Sequence, residues 1–337
     1  MNGPRSHSWR LLTLALATLF AVTACGSSGT PAAGGSAPTA PGAFPAHVTH
    51  KFGTTDVPAA PKRVVSLGYT DQDAILALGV VPVAIREFTG MQPSATWPWA
   101  QDKLQGQQPE VLQLTELKPE AIAALRPDLI VAISAGLTKD QYDLLSKIAP
   151  TISQPAEFVD YGTPWQQATR MTGAALGKSA EADKLVTDLE GRLAAVKSQF
   201  PKLVGKTVAG ARPSTAGGNY FVWGQQDLRA QFFKAIGMPV PAEFDKLAGD
   251  KFYADISTEQ LALLDTADAV VVITSSDAER KAFAGLSGYP ALKSVKDNHI
   301  ITLDDRMSAA LSFGSVLSLP EVLDKLPAQL NASVGAA

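Results

Sequence analysis

The chain has 337 residues, with 29 Lys and Arg against 32 Asp and Glu, a net charge of −3 and a single Cys. This mildly acidic balance carries no basic tract, which argues against a nucleic-acid partner, and the lone Cys has no partner for a disulfide. The length exceeds one modest domain and suits two lobes.

Residues 1–24 read as a signal peptide: Arg5 and Arg10 precede the apolar run Leu11 to Val22, and small residues follow at Thr23-Ala24. The run is shorter than the roughly 20 apolar residues that a membrane span needs. Cleavage at this point removes two arginines, leaving 27 basic residues against 32 acidic ones. Cys25 ends the sequence Val22-Thr23-Ala24-Cys25, which resembles a bacterial lipobox, so lipid on Cys25 is the expected anchor. The Gly-, Ser-, Ala- and Pro-rich stretch over 25–46 then reads as a tether, with too little apolar surface to fold. His47 and His50 stand beside it and read as solvated tether residues.

The run Arg63-Val64-Val65-Ser66-Leu67 predicts a strand, Thr70 to Leu78 a helix closed at Gly79, and Val80 to Ile85 a second strand. Strand, helix and strand in so few residues mark a parallel α/β layer, here over 47–163. The pattern continues with a helix over Pro119 to Leu125, a strand over Asp128 to Ile133 and a helix over Asp140 to Ile148. Across 164–200 the spacing of Leu185, Leu189, Leu193 and Val196 predicts a long helix, with Trp165 to Leu176 open to being a separate one broken at Gly177. A second α/β set follows over 201–330: strands at Lys206 to Ala209, Ala269 to Ile273 and His299 to Leu303, and a helix at Leu228 to Ile236. Residues 331–337 read as a flexible tail. Pro119 to Leu125 leading to Asp128 resembles Thr258 to Leu264 leading to Asp268, so each lobe is expected to hold one copy of a repeated unit.

Ligands of parallel α/β layers collect at the carboxyl ends of strands. Tyr69, Arg86, Arg212 and Arg306 follow four of those ends, and arginine forks suit anionic oxygens. Trp97, Trp99, Tyr220 and Trp223 lie close by in sequence and are candidates for stacking on a ligand. The competing readings are surface ion pairs for the arginines and core packing for the aromatic residues.

The stretches Pro61 to Tyr69, Leu125 to Val131, Ile148 to Thr151 and Tyr253 to Leu261 resemble the iron-siderophore family of periplasmic-type binding proteins. The resemblance runs from about Val48 to Leu330. It implies a class III periplasmic-binding-protein-like fold, with two Rossmann-like lobes joined by a single long helix. It also implies a non-enzymatic, monomeric, extracytoplasmic lipoprotein on the outer face of the cytoplasmic membrane, which hands a ferric siderophore to an ABC-type permease and its ATPase. Family members dock on the permease through one surface glutamate per lobe, and the matching positions are Glu120 and Glu259. Both also suit a helix first turn through the helix dipole. The family often places an arginine where this chain reads Leu112-Gln113-Leu114-Thr115; fewer positive groups favour a neutral hydroxamate complex.

Other classes find less support. The four histidines supply no converging metal-ligand set, and no G-x-S-x-G stands at a strand end to serve a hydrolase. Haem or vitamin B12 on the same fold is the main alternative cargo, with Tyr69, Tyr220, Met91 and Met307 as the available axial donors for haem.

Overall fold

A computed structural model of the chain describes residue 42 and residues 44–113, 117–214 and 218–334. The signal peptide, Cys25, most of the tether and residues 335–337 lie outside the described residues, while 331–334, expected as part of a flexible tail, are the last turn of a helix that buries Val334 in the second lobe.

The first lobe opens with an antiparallel hairpin, β1 (Ala46–His50) and β2 (Gly53–Val57). Then come β3 (Val64–Ser66), α1 (Asp71–Ala77), β4 (Ala84–Arg86), β5 (Glu110–Leu112), α2 (Pro119–Ala124), β6 (Leu129–Ala132), α3 (Lys139–Ser146) and β7 (Thr151–Ser153). The linking region is α4 (Trp165–Ala175) and α5 (Ser179–Gln199). The second lobe contains β8 (Val208–Pro213), β9 (Asn219–Trp223), α6 (Leu228–Ala235), α7 (Ala242–Ala248), β10 (Tyr253–Ser257), β11 (Ala269–Val272), α8 (Asp277–Ala284), α9 (Lys293–Lys296), β12 (Ile300–Thr302), α10 (Asp305–Phe313), α11 (Leu319–Leu323) and α12 (Leu326–Val334).

Both lobes are built on five-stranded sheets, ordered β5-β4-β3-β6-β7 and β10-β9-β8-β11-β12. Counted among the strands of each five-stranded sheet, the order is the same. All pairings of the first sheet are parallel. In the second, the three strands expected from the sequence, β8, β11 and β12, are parallel, and β9 runs against both β8 and β10.

Alternation along the strands distributes side chains to two covered faces. In the first sheet, Val64, Leu129, Val131 and Ile133 pack with Met171 and Ala175 of α4, while Val65, Ile130 and Ala132 pack with Ile122 of α2 and Leu145 of α3. In the second, Val208, Val271 and Ile273 face Val186, Leu189 and Leu193 of α5, and Ala209, Val270 and Val272 face Phe244 and Phe283.

The repeated units occupy equivalent places. The Asp128 carboxylate accepts the backbone N–H groups of Lys62 and Arg63 at 2.8 and 2.7 Å, and Asp268 accepts that of Thr207 at 2.8 Å. Each aspartate thus ties the entry of the middle strand of its lobe's sheet, β3 or β8, to the strand beside it.

The linking region is a hairpin and not one rod. Gly177 takes φ +68, and α4 and α5 lie antiparallel, joined by Arg170 to Asp183 at 2.8 Å and Gln166 to Glu190 at 3.3 Å. A Cβ on Gly173 would stand 2.4 Å from that of Ala182, so the close helix contact depends on the missing side chain. The long helix is α5, whose 21 residues carry the Leu189, Leu193 and Val196 stripe. The N-terminal boundary also moves: Ala46 is already buried in β1, and His50 is packed in the first lobe against Tyr142, its Nε2 within 2.9 Å of Thr55 Oγ1. His50 is therefore a buried lobe residue and no part of a tether, while His47 is exposed beside Asp56.

Candidate ligand-binding cleft

The cleft forms where loops at the cleft-side ends of the two sheets face each other. On the first lobe the loop after β3 passes so close to Asp71 that a Cβ on Gly68 would fall 2.0 Å from Asp71 Oδ2. The buried Asp71 carboxylate accepts the N–H groups of Ile133 and Ser134 at 2.8 and 3.1 Å and the Ser134 hydroxyl at 2.7 Å. Burial raises its pKa and these hydrogen bonds oppose the rise. The carboxylate thereby ties the loop after β3 to the loop after β6, at the point where strand order reverses, and so presents Tyr69, Thr70 and Ser134 to the cleft.

Arg86, at the end of β4, lies with its guanidinium 4.2 Å from the centre of the Tyr69 ring and donates from Nη2 to the Tyr69 hydroxyl at 3.1 Å. Tyr69 also packs against Phe88 at 4.8 Å and Tyr161 at 5.7 Å between ring centres. The second lobe extends this aromatic wall at both ends, with Phe313 against Phe88 at 5.4 Å and Phe252 against Tyr161 at 6.1 Å. Tyr161 has φ +65, a strained value for a bulky residue, and Gly136 makes room for its ring: a Cβ there would lie 2.5 Å from the Tyr161 hydroxyl.

On the second lobe, Arg212 leaves the end of β8 and donates from Nη2 to Ser275 Oγ at 2.8 Å. Arg229, in the first turn of α6, is held by the N-cap residue Asp227. That carboxylate accepts the Arg229 backbone N–H at 2.8 Å, its Nε at 2.7 Å and its Nη2. Arg229 also lies 4.9 Å above the Trp223 ring.

Three adjoining cavities follow from this arrangement. A central one of about 360 Å³ is lined by Tyr69, Phe88, Ser134 and Tyr161 from one lobe and Arg212, Asp227, Arg229 and Phe252 from the other. It shares Phe88, Arg212 and Ser312 with one of about 480 Å³ that reaches Trp97 and Arg306. It shares Tyr69 and Tyr161 with one of about 550 Å³ that reaches Arg86 and Pro119.

Of the expected site residues, Tyr69, Arg86, Trp97, Arg212 and Arg306 line these cavities. Arg306 is also engaged in a two-point ion pair with Glu321, at 2.9 and 2.8 Å. Trp99 is stacked behind Trp97 at 5.3 Å and bonds Asp73 instead of facing the cavities. Tyr220 and Trp223 are placed differently from expectation. Both are fully buried on opposite faces of the second sheet, where Tyr220 donates its hydroxyl hydrogen to the Gln260 carbonyl at 3.0 Å and Trp223 occupies space left by Gly210. Because β9 is covered on both faces, alternation sends neither ring to the cleft. Among the axial donors considered for haem, Met307 is also buried in the core, and Met91 is 72 % exposed.

Phe88, Tyr161, Arg229 and Phe252 join the site without having been singled out in the sequence, and the buried Phe313 backs Phe88 from the second lobe. Arg229 alone had a local signal, as a basic residue two positions after an Asp helix cap. Glu120 and Glu259 are both exposed, each the second residue of its helical segment, Pro119–Ala124 and Thr258–Thr266. Neither forms an ion pair among the described residues. No group of three or more His, Cys, Asp or Glu is arranged to hold a metal ion among the described residues, and no helix among them is long and apolar enough to cross a membrane.

Two α/β lobes of equal strand order closing on a polar and aromatic cleft define a two-lobed binding protein. The chain belongs to the periplasmic binding protein family, whose model matches residues 64–307. It is 32 % identical over 167 residues to the probable siderophore-binding lipoprotein YfiY of Bacillus subtilis, a match covering 49 % of each chain and thus about half the length of that relative. The fold is similar to that of a periplasmic solute-binding protein from Mycobacterium smegmatis, with TM-score 0.78 and 35 % identity, covering 86 % of this chain and 99 % of the other. It is also similar to PiaA of Streptococcus pneumoniae, an iron uptake ABC transporter substrate-binding protein solved with ferrichrome, with TM-score 0.74 and 26 % identity over 86 % of this chain and 99 % of that one.

Proposed function

We propose that this protein is an extracytoplasmic solute-binding lipoprotein that captures a ferric siderophore in the inter-lobe cleft and delivers it to an ABC importer. The observation that carries this reading is the convergence of Arg86, Arg212 and Arg229 on a cleft walled by Tyr69, Phe88 and Tyr161. Guanidinium forks and aromatic rings recognise the oxygen-rich and flat periphery of a metal chelate, whereas a guanidinium cannot ligate the ion itself. Similarity to YfiY and to ferrichrome-bound PiaA supports the same cargo class. The role is capture and release, without a catalytic step, by a monomer.

Cys25 is the proposed lipid attachment point, holding the lobes at the outer face of the cytoplasmic membrane. Glu120 and Glu259 are the proposed permease contacts. Their exposure, the lack of an ion pair to either among the described residues and their matching places in the two lobes support this reading.

Tryptophan-fluorescence titration of the mature protein with ferric hydroxamate, ferric catecholate, ferric citrate, haem and cobalamin tests the cargo. Saturable quenching at submicromolar concentration is expected with a ferric siderophore, and such quenching by a corrinoid or haem alone would overturn the assignment. Replacing both glutamates by lysine is expected to abolish uptake by cells while leaving ligand affinity unchanged; uptake that persists removes the docking role. Cys25→Ala is expected to release the protein from the membrane fraction.

A further inference from the structure

We infer that the cargo is an anionic ferric chelate of the α-hydroxycarboxylate class, typified by ferric citrate, whose carboxylates are gripped by Arg212 and Arg229. The inference rests on the siderophore reading above and narrows it. Both residues line the same central cavity, from the end of β8 and the first turn of α6.

Arg212 supplies the unmatched charge. Its hydrogen bond goes to a neutral hydroxyl, Ser275 Oγ, and among the described residues no carboxylate lies within ion-pair distance of it. The nearby carboxylate of Glu279 is turned to the Ser275 backbone N–H, which it accepts at 2.7 Å. Burial draws the Arg212 pKa below its ordinary value, with Glu279 opposing that shift and Arg229 adding to it. A partly desolvated guanidinium with most of its five donors unused is stabilised by an anion that enters with the ligand.

Arg229 supplies geometry. Asp227 holds its Nε and Nη2, and Trp223 floors its plane, so Nη1 is fixed in direction before any ligand arrives. Among the described residues Asp227 is the one carboxylate lining the central cavity, so Arg212 and Arg229 leave that lining one positive charge in surplus. A neutral tris-hydroxamate complex would cover Arg212 without neutralising it. A carboxylate matches the planar fork of Arg212, and Nη1 of Arg229, whose own fork is taken by Asp227, adds a single directed hydrogen bond.

The test is titration of the full mature protein with ferric citrate, a neutral ferric tris-hydroxamate and a ferric tris-catecholate, at low and high salt. Ferric citrate is expected to bind about tenfold or more tighter than the hydroxamate and to weaken with salt. Arg212→Met and Arg229→Met, each checked for an unchanged melting transition, are expected to weaken citrate binding about tenfold and hydroxamate binding far less. Arg212→Lys is expected to fall between wild type and Arg212→Met because it keeps the charge and loses the fork. Preference for the hydroxamate or catecholate, or equal losses for all chelates in the variants, would overturn the inference while leaving the siderophore reading in place. Failure of every ferric chelate to bind would overturn both.

Discussion

Asp73, on α1 of the first lobe, accepts the hydroxyl hydrogen of Ser315 from the second lobe and the indole N–H of Trp99 at 3.0 Å, in a site where Asp73 is 1 % exposed. The lobes therefore meet on a carboxylate sealed between two neutral donors. Burial raises its pKa from 3.8 to about 6, against the opposing effect of those hydrogen bonds.

The folded state accordingly binds this proton more tightly than the unfolded state. The stabilising contribution is complete below pH 4 and is lost as pH rises through about 6. A shift of this size corresponds to about 3 kcal/mol at most. Denaturant unfolding of wild type and Asp73→Asn across pH 4 to 8 should give a difference curve that moves in favour of the variant over this window. A flat difference curve would show that Asp73 is not titrating there.

Gly136 and Gly191 make opposite predictions. Gly136 has φ +61 and is pressed by the Tyr161 hydroxyl, so Gly136→Ala should cost about 1–2 kcal/mol and weaken ligand binding by displacing a cleft wall. Gly191 stands inside α5 with open space around it, so Gly191→Ala should stabilise by about 0.5–1 kcal/mol with affinity unchanged. Melting curves and ligand titrations of both variants check this contrast.

Tyr220 serves the core of the second lobe. Tyr220→Phe removes the hydrogen bond to Gln260 and should lower stability by about 1 kcal/mol, with ferric-ligand affinity within about twofold of wild type, since the ring never reaches the cleft. A large loss of affinity without loss of stability would return Tyr220 to the binding site.

The hairpin of α4 and α5 depends on Gly173. Gly173→Leu would drive a side chain into Ala182 and the Lys178 carbonyl, and should cost at least about 1–3 kcal/mol through overpacking. Loss of stability much larger than that of Gly173→Ala would be expected by the same contact, and chemical denaturation measures both.

Much of the framework was legible from local order. The β-branched runs at Val64-Val65 and Val270 to Val272 became central strands, and the resemblance between the segments ending at Asp128 and Asp268 reported real equivalence of place. The short strands β5 and β7 and the hairpin of β1 and β2 gave weaker signals, because three to five residues hold too little periodicity to stand out. Tyr69, Arg86 and Arg212 were reachable because residues at or just past the carboxyl end of a parallel strand lie on the ligand side of the layer.

By itself, then, the sequence determined an α/β chain with a repeated unit in each half and arginines at the strand ends, since these are properties of neighbours along the chain. Only the tertiary structure decided that Tyr220 and Trp223 turn inward while Phe88, Tyr161 and Phe252 meet at the cleft with Phe313 buried behind Phe88, that Arg229 joins Arg212, and that Asp73 is buried against Ser315. Each of those outcomes depends on which surface covers a strand or helix from outside, and that surface comes from residues far away in sequence.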